Sequence, residues 1–190
     1  MIFNLYKPIG WTSFDVVKKV RNITGERKVG HGGTLDPFAG GVLIIATNSD
    51  TKKLGEISGT IKSYQAVLQL GEQTDTLDLD GKVVNSKPVP LLDKNLIKSV
   101  FKHFIGKHNQ IPPMYSAKKV NGVRLYKLAR QNKTINRKPV EVNIIDLTLN
   151  NIQDKQIDFS VTCSKGTYIR VLGQDIAKKL GTEGHLTKLM

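Results

Sequence analysis

Cysteine is almost absent from this 190-residue chain. Cys163 stands alone, which excludes an internal disulfide framework and any thiolate cluster for zinc or iron–sulfur. The fold must hold by packing. Long apolar runs are also missing. The longest, Val42 to Ala46, is strand-sized, far below the roughly 20 residues of a membrane helix. The N-terminus has no basic region followed by a long apolar stretch, so the expectation is a soluble protein that stays in the cytoplasm. With 39% hydrophobic residues, the chain can fill one core and reads as a single domain over residues 1–190, with monomer as the default state.

Acids are scarce and unevenly placed. The chain carries 29 Lys+Arg against 16 Asp+Glu, a net charge of +13. Between Asp93 and Glu141 there are 12 basic residues and no carboxylate. Self-repulsion on that scale costs stability, so an anionic partner explains it better than a solvated face, and nucleic-acid phosphates are the simplest choice. A membrane surface fits less well, because Pro112, Pro113 and Asn121-Gly122 break any long amphipathic helix.

Strands and helices are interspersed without strict alternation. Residues 2–6 read as a strand, followed by a helix from about Phe14 to Ile23 capped by Ser13 and closed by Gly25. Residues 42–47 read as a buried strand, and 61–70 alternate Tyr64, Ala66, Leu68 and Leu70 on one face. Asp93 caps a helix whose Leu96, Ile97, Val100, Phe101 and Phe104 form one stripe, ended by Gly106. Asn121-Gly122 predicts a two-residue hairpin, with a helical turn at Leu125, Leu128 and Ala129. In 140–149 the apolar phase shifts between Ile144 and Ile145, predicting a bulge, and Asn150-Asn151 reads as the next turn. Ile157, Phe159, Val161 and Cys163 then alternate as a strand, before a last helix along Ile169, Leu172, Ile176 and Leu180, stopped by Gly181. This pattern favours an α+β domain with a mixed, largely antiparallel sheet flanked by helices and loops.

The segment from Gly30 to Gly41 holds five glycines around one carboxylate, Asp36. It is neither a P-loop nor a dinucleotide fingerprint, since it lacks Gly-Lys-Ser/Thr and has Leu35 where the fingerprint needs glycine. What remains is a loop whose backbone can approach a ligand closely, with Asp36 stiffened by Pro37. In a basic nucleic-acid binder, such an acid should face a sugar or base; otherwise it caps a turn. Asp75, Asp78 and Asp80 fail as a calcium loop and read as a turn or, less well, a magnesium site. His31, His103, His108 and His185 show no ligand spacing, and Cys163 reads as core.

KPIGWTS at 7–13, GHGGTLDP at 30–37, Tyr64 ahead of GEQTDTLDLDG, PPMYSAKKVNGVRLYKLAR at 112–130 and CSKGTYIRVLGQDI at 163–176 stand in the order found in TruB-type tRNA pseudouridine synthases, and the likeness runs from Leu5 to Leu189. The resemblance implies a pseudouridine-synthase-like fold and isomerisation of the T-loop uridine known as position 55, without metal or other cofactor. It implies that Asp36 is the catalytic carboxylate, that Arg170 pairs with it, and that Tyr64 stacks on the extruded uracil with Tyr168 beside it. It further implies that His31 fills the vacated loop and that Leu189 touches substrate from the last helix region. Lys119, Arg124 and Arg130 lie in the acid-free stretch and are expected to meet the tRNA backbone. The target base must be flipped out, at a cost of a few kcal/mol.

Two departures stand out. Asn48-Ser49-Asp50-Thr51-Lys52 replaces a more typical Gly-x-Ala-Thr-Lys, and LTKLM ends where relatives continue with a small RNA-binding domain, so that domain is expected to be missing and tRNA affinity reduced. Two rival functions remain at this level: a non-catalytic tRNA-binding module or RNA chaperone on the same scaffold, and a metal-dependent nuclease using Asp78 and Asp80.

Overall fold

Phe3, Leu5 and Lys7 face inward from the first strand, β1 (Ile2–Lys7), while Ile2 and Tyr6 face outward. The computed structural model describes residues 1–190 and divides into two units: Met1–Ile61 with Lys188–Met190, and Lys62–Thr187. In the first unit β1 is followed by α1 (Ser13–Thr24), β2 (Val29–His31), β3 (Gly41–Thr47) and, after a 3-10 turn at Asn48–Lys53, α2 (Leu54–Ser58). The sheet order is β1-β3-β2, antiparallel throughout, with Leu5 opposite Leu43 and Gly30 opposite Ala46. Val16, Val17 and Val20 of α1 share a core with Val29, Leu43 and Ile45. Burying such side chains stabilises by about 1.5–3 kcal/mol each.

The cap of α1 is Thr12, not Ser13. Thr12 accepts from the Asp15 amide and the Asp15 carboxylate accepts from the Thr12 amide, a reciprocal capping box. Ser13 is buried and its hydroxyl is used elsewhere. Gly25, at φ 70°, closes the helix as expected.

The second unit contains β4 (Lys62–Leu70), β5 (Glu72–Thr74), β6 (Val83–Ser86), α3 (Lys94–Phe104), β7 (Gly106–Gln110), β8 (Lys119–Val120), β9 (Val123–Arg124), α4 (Leu125–Ala129), β10 (Val140–Gln153), β11 (Gln156–Cys163), α5 (Ile169–Lys179) and β12 (Gly184–Leu189) up to Thr187, the last two residues of β12 belonging to the first unit. Five strands form one sheet in the order β12-β4-β11-β10-β7, and β5-β6 and β8-β9 are separate hairpins. β4 to β11, β11 to β10 and β10 to β7 pair antiparallel. The alternation of Ile157, Phe159, Val161 and Cys163 buries all four, and Phe101 of α3 meets the Phe159 ring edge-on at 5.9 Å.

The bulge predicted from the phase shift lies at Ile145, where the register jumps from Ile144–Cys163 to Asp146–Thr162. Asn150-Asn151 is not a turn. Asn150 sits at a second bulge, where its amide donates to Asp158 and Ser160, so β10 runs on to Gln153 and turns at Asp154, which has φ 52°. The C-terminal strand β12 is likewise absent from the sequence reading, because Gly184, His185 and Leu186 are all buried and show no period-two alternation. Helix α5 ends near Leu180 as expected, with Gly181 at φ 86°.

Candidate active site

In the first unit, the loop between β2 and β3 presents Asp36, half-buried, between two pinned neighbours. The Leu35 amide donates to the Ser13 hydroxyl at 3.0 Å. The Pro37 carbonyl accepts from the Gly10 amide at 2.8 Å and is reached by the Lys7 ammonium at 3.4 Å. Lys7 has no exposed surface, and its ammonium also donates to the carbonyls of Pro8 at 2.9 Å and Trp11 at 2.6 Å. One buried cation therefore ties the 8–11 turn to the chain just beyond Asp36. Burial lowers the Lys7 pKa, and the carboxylates of Asp36 and, less, Asp15 work against that shift.

His31 and Leu189 belong to the same unit. The His31 ring lies at the end of β2, with Nδ1 2.5 Å from the Gly33 carbonyl. Leu189 is in strand β12, not in a helix; its side chain is buried and its carbonyl accepts from the Gly40 amide at 3.0 Å, four residues past Asp36. A Cβ added at Gly40 would lie 2.7 Å from the hydroxyl of the exposed Tyr6 side chain, which would have to shift.

In the second unit, Arg170 lies in the first turn of α5, only 3% exposed. Its guanidinium donates to the carbonyls of Thr76 at 2.5 Å and Tyr115 at 2.8 Å and faces the Asp78 carboxylate at 3.2 Å. The other Asp78 oxygen accepts from the Thr76 hydroxyl at 2.6 Å and the Asp80 amide at 3.1 Å. Both oxygens are thus engaged by protein donors, which does not favour Asp78 as a nuclease metal ligand. Among the three acids read as a turn, Asp78 is the buried one, and its chain also bridges Leu186 in parallel. No three His, Cys, Asp or Glu side chains come together as a metal set.

Tyr64 is half-buried on β4, opposite Val161 of β11. Tyr168 stands at the start of α5, held by Gln110 through its backbone. Tyr115 donates its hydroxyl toward Asp75 at 3.4 Å, and burial, with Asp75 beside it, raises its pKa and keeps it protonated. Lys119 and Arg124 are cross-strand partners in the β8–β9 hairpin, and both are exposed. Asn121 and Gly122 turn that hairpin at φ 50° and 79°. Arg130 follows α4 with its guanidinium 5.5 Å from the Tyr126 ring centre. Lys119, Arg124, Tyr126 and Lys127 line one open groove.

Three of these anchors escape a reading of the sequence. Lys7 and Gln110 carry no sequence-based assignment of their own, and Asp78 reads as one of three turn acids. The available signal was position: Lys7 ends the inward face of β1, and Asp78 follows Leu77 in an otherwise polar run.

Residues 21–169 match the family model described as TruB family pseudouridylate synthase (N terminal domain). A tRNA pseudouridine synthase B of Geotalea uraniireducens is 46% identical over 183 residues, covering 96% of this chain and 59% of that protein. One from Clostridium kluyveri is 47% identical over 188 residues, covering 99% and 65%. The chain therefore spans about 60% of the length of such relatives. A solved Cbf5-Nop10-Gar1 complex contains a chain with TM-score 0.76 and 28% identity, covering 99% of this chain and 46% of that one. An H/ACA RNP bound to a substrate RNA containing 2′-deoxyuridine gives a TM-score of 0.72 at 25% identity, covering 99% and 45%.

Proposed function

Because the chain belongs to the TruB family of pseudouridylate synthases, we propose that it isomerises the T-loop uridine of tRNA, position 55, to pseudouridine. The observation that carries the proposal is the fixing of Asp36, the acid of the glycine-rich 30–41 loop, with Leu35 tied to Ser13 and Pro37 tied to Gly10 and Lys7. A reacting carboxylate needs such positioning, since small misplacements cost orders of magnitude in rate.

Asp36 is the nucleophile, bonding either the ribose at C1′ or the uracil ring and released again before the product leaves. The bond from C1′ to N1 of uracil breaks, the ring turns, a bond from C1′ to C5 forms, the C5 proton leaves to solvent and N1 takes up a proton. Arg170 supplies the fixed cation of the reaction, and Tyr64 stacks on the uracil and helps remove the C5 proton. Tyr168 packs beside the flipped base, while His31 and Leu189 meet the RNA around it. Lys119, Arg124 and Arg130 contact the phosphate backbone. The tRNA T-stem-loop is the partner, residues 1–190 serve as the catalytic domain, no cofactor is required, and the site of action is the cytoplasm. The precedent for RNA is the solved relative bound to a substrate RNA.

The test is tritium release from a T-stem-loop RNA labelled at uracil C5. Wild-type protein should release tritium without added metal, and Asp36→Asn should release none while still binding the RNA. A wild-type chain that binds but releases nothing would favour the non-catalytic module.

A further inference from the structure

Gln110 closes strand β7 and is only 7% exposed. Both ends of its carboxamide are used on one residue 58 positions away: the Tyr168 amide donates to Oε1 at 2.8 Å, and Nε2 donates to the Tyr168 carbonyl at 3.1 Å. A single side chain thus makes the pair of bonds that a neighbouring strand would make, at the point where the chain leaves the loop after β11 and enters α5. Tyr168 has no side-chain cap of its own at that helix start. Five residues beyond Gln110, the Tyr115 carbonyl accepts from Arg170. The segment 110–115 therefore grips residues 168–170 at two points, one below the tyrosine and one at the guanidinium.

We propose that Gln110 is a positioning residue for the isomerisation, acting on the reaction through Tyr168 and the first turn of α5; this role rests on the function proposed above. Without the amide clamp, the Tyr168 amide loses its acceptor and its carbonyl keeps only the Val171 and Leu172 amides of α5, at 3.1 Å each, so the backbone entering the helix, and the ring with it, gains freedom. Gln110 also lines a cavity with Phe104, Val142 and Leu172 and with the polar His108, Asn109 and Asp175, where methionine keeps the length of the side chain and loses both bonds. Glutamate at the same place keeps the acceptor for the Tyr168 amide and loses the donor to its carbonyl.

The experiment compares wild type, Gln110→Met and Gln110→Glu in the tritium-release assay, with RNA binding, thermal midpoint and amide exchange measured on the same preparations. Gln110→Met should lower kcat by 10- to 100-fold with KM and the RNA Kd within threefold of wild type, and Gln110→Glu should fall between them. The Tyr168 amide should exchange at least 10-fold faster in Gln110→Met, while amides in the second half of α5 keep their protection. A wild-type chain that turns over beside a Gln110→Met variant of equal kcat overturns the role alone. So does a kcat loss matched by the fall in folded fraction. A wild-type chain that releases no tritium overturns the function and this role with it.

Discussion

The Arg170 guanidinium and the Asp78 carboxylate lie 3.2 Å apart with 3% and 7% of their side chains exposed, joining the start of α5 to the turn between β5 and β6. Taking two charges out of water is costly, and such a pair is sustained by its further hydrogen bonds. Here Arg170 adds two carbonyls, and Asp78 adds a hydroxyl and an amide. Asp78→Asn removes the countercharge and leaves the arginine in place. Urea unfolding should show a loss of about 3 kcal/mol. A midpoint within experimental error of wild type would mean that the remaining partners of Arg170 are sufficient.

Lys7 makes a separate prediction in the first unit. Lys7→Met keeps the stem and removes the donor shared by the Pro8, Trp11 and Pro37 carbonyls. The Pro37 carbonyl keeps the Gly10 amide and the Pro8 carbonyl the Trp11 amide, so the Trp11 carbonyl is the acceptor that loses its donor, at a cost of about 1–3 kcal/mol. The variant should unfold at lower urea, and the Ala39 amide, bonded to the Asp36 carbonyl at 3.0 Å, should exchange faster. Unchanged exchange there would detach Lys7 from the loop that carries Asp36.

Asp50 contributes to acid stability. Its carboxylate meets Lys53 at 2.8 Å and accepts from the N-terminal ammonium at 2.8 Å, which lowers its pKa from 3.8 to about 2. A depressed carboxylate pKa contributes stability above the unfolded value, and that contribution is lost as pH falls through the folded one. The wild type should therefore lose stability more steeply than Asp50→Asn between pH 3.8 and about 2, and the two should run parallel below that window. Parallel curves throughout would show that the ion pairs contribute nothing in solution, a common result for exposed pairs.

RNA binding should be strongly salt-dependent. Lys119→Ala, Arg124→Ala and Arg130→Ala should each weaken T-stem-loop binding and reduce the slope of log Kd against log salt by about one. A slope unchanged in all three would place the phosphates elsewhere on this basic chain.

Much of the framework was legible because it follows local rules. The inward set Ile157, Phe159, Val161 and Cys163, the bulge at Ile145 and the Asn121-Gly122 hairpin each follow from side-chain period or turn chemistry within a few residues. What escaped depends on distant partners. Lysine at position 7 says nothing of three carbonyls gathered around it, and Asp78 is 92 positions from Arg170. Ser13 was misread as a cap because Thr12 beside it has the same capping chemistry, and only the structure shows Ser13 spent on Leu35. For the proposed site, motif order nominates Asp36, Arg170 and the tyrosines, whereas Gln110 and Lys7 emerge only from geometry.

Nucleoside analysis of a T-stem-loop RNA after incubation with the chain tests the central claim most directly, with wild type and Asp36→Asn run in parallel. The account predicts one pseudouridine per RNA at the T-loop position with wild type, none with Asp36→Asn, and comparable RNA binding by both. Pseudouridine formed equally by the two proteins, or an RNA cut rather than isomerised, would contradict it.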